Sequence, residues 1–146
     1  MQVDFYHLTA QPLDRVLPQI AEKVVAGGGR LLIVDADAQR REGIDRLLWE
    51  YSRDGFLPHA VAGAGDDAAQ PVLIAAGTEA GNAARNVALA DGRWRDEALG
   101  FERAFLFFDE ERVADARVAW KGLAGADDVD RRYWKQNEAG RWEQAA

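Results

Sequence analysis

Between residues 12 and 26 the apolar positions Leu13, Val16, Leu17, Ile20 and Val24 recur every three or four residues, the spacing of one buried helix face. Pro12 suits the first turn of that helix. Pro18 lacks an N–H in the interior and predicts a kink or a late start. Gly27-Gly28-Gly29 ends the helix. Before it, residues 2–8 are aromatic-rich and partly alternating, a strand pattern; after it, residues 30–35 are a strand of the buried type. Asp37 is placed to cap a helix that runs to about Tyr51, with Ile44, Leu47, Leu48 and Tyr51 on its buried stripe. Residues 72–75 and 86–90 read as short strands joined by a loop, and residues 104–108 as a strong one. Asp109 is an N-cap with Glu110 and Glu111 at the positive end of the next helix, which continues to Leu123. Residues 127–130 form a turn, and residues 132–136 the last strand. Residues 63–67 read as the most mobile loop. Strands alternating with helices predict one α/β domain over residues 1–146, a mixed, mostly parallel sheet flanked by helices, Rossmann-like in layout.

Trp49 departs from this pattern. At about 100° per residue it lies roughly 140° from Ile44, off the core-facing stripe. Close to it in sequence is a second apolar cluster, Phe56-Leu57-Pro58, in a loop. An off-face tryptophan beside an apolar loop fits a protein-binding patch, since aromatic anchors concentrate at interfaces. It fits equally a satellite core in which the loop folds back over Trp49.

Length and composition narrow the function classes. At 146 residues and 48% hydrophobic, the chain supports one core. No apolar run is long enough for a bilayer, and no basic segment followed by an apolar one marks the N-terminus for export. With no cysteine there is no disulfide or thiolate metal site, in keeping with a reducing cytosol. His7 and His59 are far apart without ligand spacing, so no metal is expected. A net charge of −7 disfavours broad DNA binding, which needs a basic surface. The glycine run 27–29 follows a helix and precedes a strand, the reverse of a phosphate-cradling loop, and reads as a helix cap without a nucleotide site. Asp35 and Asp37 flank a strand end, where ligands sit in α/β sheets. A small anionic ligand or nucleotide bound there, with or without catalysis, is the alternative function. No nucleophile or base is placed beside them, so no catalytic residue is assigned.

The helix 109–123 carries a second constellation. Val113, Ala116, Trp120 and Leu123 make its buried stripe, with Arg117 and Lys121 on one edge. An apolar seat flanked by two cations suits a peptide that ends in an aromatic side chain and a free carboxylate. Tyr133, Trp134 and Lys135 are placed to wall the same pocket. An ordinary amphipathic helix with solvated basic residues also satisfies this pattern.

Taken together, Val3-Asp4-Phe5-Tyr6-His7-Leu8, Leu48-Trp49, Phe56-Leu57-Pro58-His59, Gln70-Pro71-Val72, Ala116–Lys121 and Tyr133-Trp134-Lys135-Gln136 resemble the chi subunit of bacterial DNA polymerase III, in order and over nearly the whole chain. The resemblance implies a cytoplasmic, non-catalytic accessory subunit without cofactor, membrane contact or strong DNA binding of its own. It implies that Arg117, Trp120 and Lys121 receive the acidic, Pro-Phe-ending tail of the single-stranded DNA-binding protein. It also implies that Trp49, Phe56, Leu57, Pro58 and His59 face the psi subunit of the clamp loader, a surface for which a DNA-repair helicase competes in some bacteria. The segment Gly140-Arg141-Trp142-Glu143 is expected to cover or extend the tail pocket.

Overall fold

The strands β2 (Leu31–Val34) and β4 (Val72–Ala75) are apolar at every position because every side chain on them is buried, whichever face it points to. They lie inside an eight-stranded sheet in a computed structural model that describes residues 1–9, 11–51 and 57–146. The other strands are β1 (Gln2–His7), β3 (His59–Val61), β5 (Asn86–Leu89), β6 (Arg103–Phe108), β7 (Asp130–Gln136) and β8 (Trp142–Gln144). Their order is β3-β4-β2-β5-β6-β1-β7-β8. Every pairing is parallel except β7 with β8. The sheet is therefore mixed and mostly parallel, and the α/β class read from the sequence is the class observed.

Three helices cover the sheet: α1 (Leu13–Ala26), α2 (Ala38–Tyr51) and α3 (Val113–Gly122). On one face, α1 and α2 bury Val16, Leu17, Ala21, Ile44 and Leu48 against Leu31, Ile33, Val72 and Ile74. On the other, α3 buries Ala116, Ala119 and Leu123 against Val3, Phe5, Leu106 and Phe108. Fully burying a side chain such as Phe5 contributes about 2–3 kcal/mol. Among the described residues no helix is long and apolar enough to cross a membrane.

Local chemistry sets the element ends. The helix α1 starts at Leu13 with Pro12 in the capping position, and it runs through Pro18 without the late start its sequence suggested. The missing N–H falls early in the helix, and the buried stripe of Val16, Leu17 and Ala21 spans it. At the other end Gly28 takes φ +84, and the amides of Gly27 and Gly29 return to the carbonyls of Lys23 and Val24. The glycine run is thus a helix cap. The Asp37 carboxylate accepts from the amides of Gln39 and Arg40 at 2.8 and 3.3 Å, capping α2. Asp109 accepts from Glu111, but it opens a 3-10 turn, Glu110–Arg112, that leads into α3.

Three expectations need correction. Tyr51 is exposed rather than on the buried stripe: it is the last residue of α2, where the helix leaves the sheet. The loop that holds Phe56-Leu57-Pro58 does not run on as loop, since His59–Val61 forms an edge strand. The strand β7 is not the last: Asn137 accepts from the amides of Ala139 and Arg141, Gly140 takes φ +79, and the chain returns as β8. The Asp67 carboxylate accepts from the Gly63 amide at 3.1 Å and ties together the glycine-rich turn 63–67.

Candidate functional site

The helix α3 turns Ala116, Ala119 and Leu123 inward and leaves Arg117, Val118 and Lys121 in solvent. Trp120 sits between, half-buried, its ring edge-on to Phe5 at 5.2 Å and to Tyr133 at 5.8 Å. The Arg131 guanidinium lies 4.1 Å over the Trp120 ring and donates to the Trp120 carbonyl at the end of α3. That pair holds the indole against the sheet through a cation–π contact and a helix-end hydrogen bond. Among the described residues neither Arg117, Lys121 nor Lys135 makes an ion pair. An apolar ring is thus bordered by uncommitted cations.

Strand period decides which β7 residues join this surface. Tyr133 lies on the α3 side, against Phe5, Phe108 and Trp120. Arg131 and Lys135, two residues either way, share that side. Trp134 points to the opposite face, where it stacks on Tyr6 at 6.3 Å and donates to the buried Asp4 carboxylate at 3.0 Å. It cannot wall the same pocket as Trp120. Trp142 likewise stands edge-on to Tyr6 at 5.0 Å on that far face, so its side chain does not cover the pocket as the sequence suggested. Sequence reasoning passed over Arg131, although its two-residue offset from Tyr133 was a usable signal.

Behind Tyr133 lies a hydrogen-bonded relay through the buried His7. The Tyr133 hydroxyl is 3.2 Å from His7 Nδ1, and His7 Nε2 is 2.9 Å from the Glu110 carboxylate. His7 is buried while Glu110 is exposed. Burial pushes the Tyr133 phenol above its ordinary value; Arg117 opposes that shift and Glu110 adds to it. Arg117 and Glu110 thus act on the same hydroxyl from their respective charges.

The second surface lies at the other end of the sheet. Trp49 is 63% exposed, and its ring is tilted over His59 at 4.7 Å. A satellite core would have buried it. His59 is buried, with Nδ1 2.8 Å from the Leu57 carbonyl and Nε2 3.1 Å from the Asp45 carbonyl. Leu57 is also buried, as part of the core under α2. Of the five residues expected to face a partner here, Trp49 is open to contact and Pro58 partly so; Leu57 and His59 lie beneath the surface. Phe56 lies outside the described residues.

The strand ends that suggested a small-ligand site are occupied by internal pairing. Asp35 is fully buried, bonded to Arg40 Nε at 2.8 Å and to the Asp37 amide. Asp37 is committed to its cap. Asp91, which the sequence reading missed, receives two bonds from Arg95, at 2.8 and 2.9 Å, and one from the Ala36 amide. Burial pushes its carboxyl up, but Arg95 and the Ala36 and Arg93 amides together hold it below its ordinary value. The neighbouring cleft, about 350 Å³, includes Asp91, Asp109 and Glu111 against Arg40 and Arg112. Three acids facing two arginines do not make an anion site.

Comparison with known proteins decides the family. The model of a family described as DNA polymerase III chi subunit, HolC, matches residues 1–128. The chain belongs to this family. Similar curated proteins are a DNA polymerase III subunit chi of Pseudomonas aeruginosa and a probable one of Rickettsia prowazekii. The first is 34% identical over 84 residues, 56% of this chain and 58% of that protein. The second is 27% identical over 73 residues, 50% of this chain and 44% of that protein. The chain thus spans about half the length of the curated relatives it matches. The chi-family match includes Trp49 and the whole of α3 and ends before β7. Arg131, Tyr133 and Lys135 lie beyond it.

Proposed function

We propose that this chain is a non-catalytic, cytoplasmic adaptor of the replicative DNA polymerase III. It joins the C-terminal tail of the single-stranded DNA-binding protein to the psi subunit of the clamp loader. One observation carries the reading: a chi-family chain presents two separate candidate anchor points, the Arg117–Trp120–Lys121 seat on α3 and the exposed Trp49 on α2, on opposite faces of one sheet. The tail's terminal Phe packs against Trp120 and Tyr133, and its carboxylates pair with Arg117, Lys121 and Lys135. Trp49 inserts into psi, or into a repair helicase that competes for the same patch. Coating of DNA by the single-stranded DNA-binding protein is thereby converted into polymerase retention without strong DNA contact by this chain.

The test is calorimetric titration of a peptide ending in Asp-Ile-Pro-Phe. Wild-type affinity is expected in the micromolar range, about −8 kcal/mol. Arg117→Ala or Lys121→Ala should each weaken binding by about 1.5–3 kcal/mol where the pair is desolvated. Unchanged affinity in both variants places the tail elsewhere.

A further inference from the structure

The Tyr133–His7–Glu110 relay sits at the edge of the tail seat, and its hydrogen bonds are additional to the ring packing of Tyr133 that helps form it. His7 occupies the last position of β1, its ring stacked on Phe108 at 5.0 Å. An ionised Glu110 only accepts, so His7 Nε2 carries the proton between them. In neutral His7 the other nitrogen, Nδ1, then accepts from the Tyr133 hydroxyl. In that state the hydroxyl proton is committed inward, and the phenol turns its lone pairs to the outside. A carboxylate arriving beside Arg117 meets an acceptor where it needs a donor.

Protonation of His7 reverses this. An imidazolium donates from both nitrogens. Nε2–H stays on Glu110, while Nδ1–H donates to the Tyr133 oxygen, and the phenolic O–H is released to point outward. The proton on Nδ1 comes from solvent, and no covalent bond is made or broken. Glu110, from the turn before α3, bonds His7, and Lys135 lies opposite His7 in the β1–β7 register. Arg117 on α3 acts on Tyr133 beyond.

We infer that Tyr133 is a specificity-determining donor to the terminal carboxylate of the bound tail, and that His7 and Glu110 are its positioning residues, so that carboxylate capture draws one proton onto His7. This rests on the tail being bound at Arg117, Trp120 and Lys121. Linkage is reciprocal: if the carboxylate favours protonated His7, lower pH favours the carboxylate. Ordinary ion pairing with Arg117 and Lys121 supplies no such dependence near neutrality, since both remain charged there.

The experiment is calorimetry of the tail peptide against the full chain at pH 6, 7 and 8, in two buffers of different ionisation enthalpy, to count protons taken up. For the wild type the inference expects net uptake at pH 7 and affinity about fivefold or more higher at pH 6 than at pH 8. Tyr133→Phe keeps every charge and removes only the hydroxyl; it should abolish the uptake and flatten the pH profile. Glu110→Gln, at an exposed position, leaves the fold intact and should reduce the uptake. His7→Gln should remove it, with the unfolding midpoint recorded alongside. Uptake that survives in Tyr133→Phe overturns the relay while leaving the tail site standing. A wild type that binds the peptide with no proton uptake does the same. A wild type that does not bind the peptide overturns the site, and the relay's role with it.

Discussion

Trp49 and Trp120 are both helical tryptophans, and their surroundings differ. Trp120 is pinned by Arg131 and two aromatic edges. Among the described residues Trp49 has one neighbouring ring, His59, and it is 63% exposed. Trp49→Ala should therefore leave the thermal midpoint nearly unchanged and abolish psi binding. A loss of about 3–5 kcal/mol of stability, the range for buried aromatic truncation, would return Trp49 to a core role. Tyr6 shows the opposite case. Burial, then the nearby Asp4, pushes its phenol up to about 12. An unfolded tyrosine ionises near 10, so between about pH 10 and 12 the unfolded chain binds fewer protons than the native one, and stability falls as pH rises. The loss is of order 2–3 kcal/mol by pH 12, the opposing effect of Arg103 already included. Melting curves from pH 9 to 12 should show a shallower alkaline decline in Tyr6→Phe; an unchanged slope would mean that the phenol is not the group responsible.

At the scale of elements, the helices and inner strands were legible because their patterns are self-contained. The stripe of α1, the Asp37 cap and the apolar run of β2 each report their own burial. The edge strands were not. His59–Val61 has three residues and gains strand geometry only by pairing with β4. Trp142–Gln144 depends on the turn at Asn137 and on β7. The candidate site was legible on α3 as a pattern, where helical spacing places Arg117 and Lys121 together. It was misread on β7, where Tyr133, Trp134 and Lys135 were taken as one wall although a strand sends neighbours to opposite faces. The relay through His7 joins residues more than 100 positions apart, and no local pattern announces that. Trp142 covers Tyr6 on the face away from α3. Trp142→Ala should accordingly cost about 2 kcal/mol by the area it withdraws from water, with tail affinity unaltered. A weakened tail with unchanged stability would instead put the hairpin in the seat.

For the whole molecule, the separation of the two surfaces follows from strand order. The strand β3, beside Trp49, and β7, beside Trp120, are six intervals apart in the sheet, about 29 Å at about 4.8 Å per interval. The helices carrying the two anchors also pack on opposite faces. No described side chain is shared between the two surfaces. The chain as a whole carries −7, whereas the α3–β7 surface gathers Arg117, Lys121, Arg131 and Lys135. Tail binding should therefore weaken as salt rises, because the attraction is local and acts within a Debye length of about 8–10 Å. Most direct is calorimetric titration of the Asp-Ile-Pro-Phe peptide into this protein already saturated with psi. An adaptor with two independent surfaces binds the peptide at one site with the affinity of the free protein, and psi stays bound. Displacement of psi, or loss of peptide binding in its presence, would contradict the account.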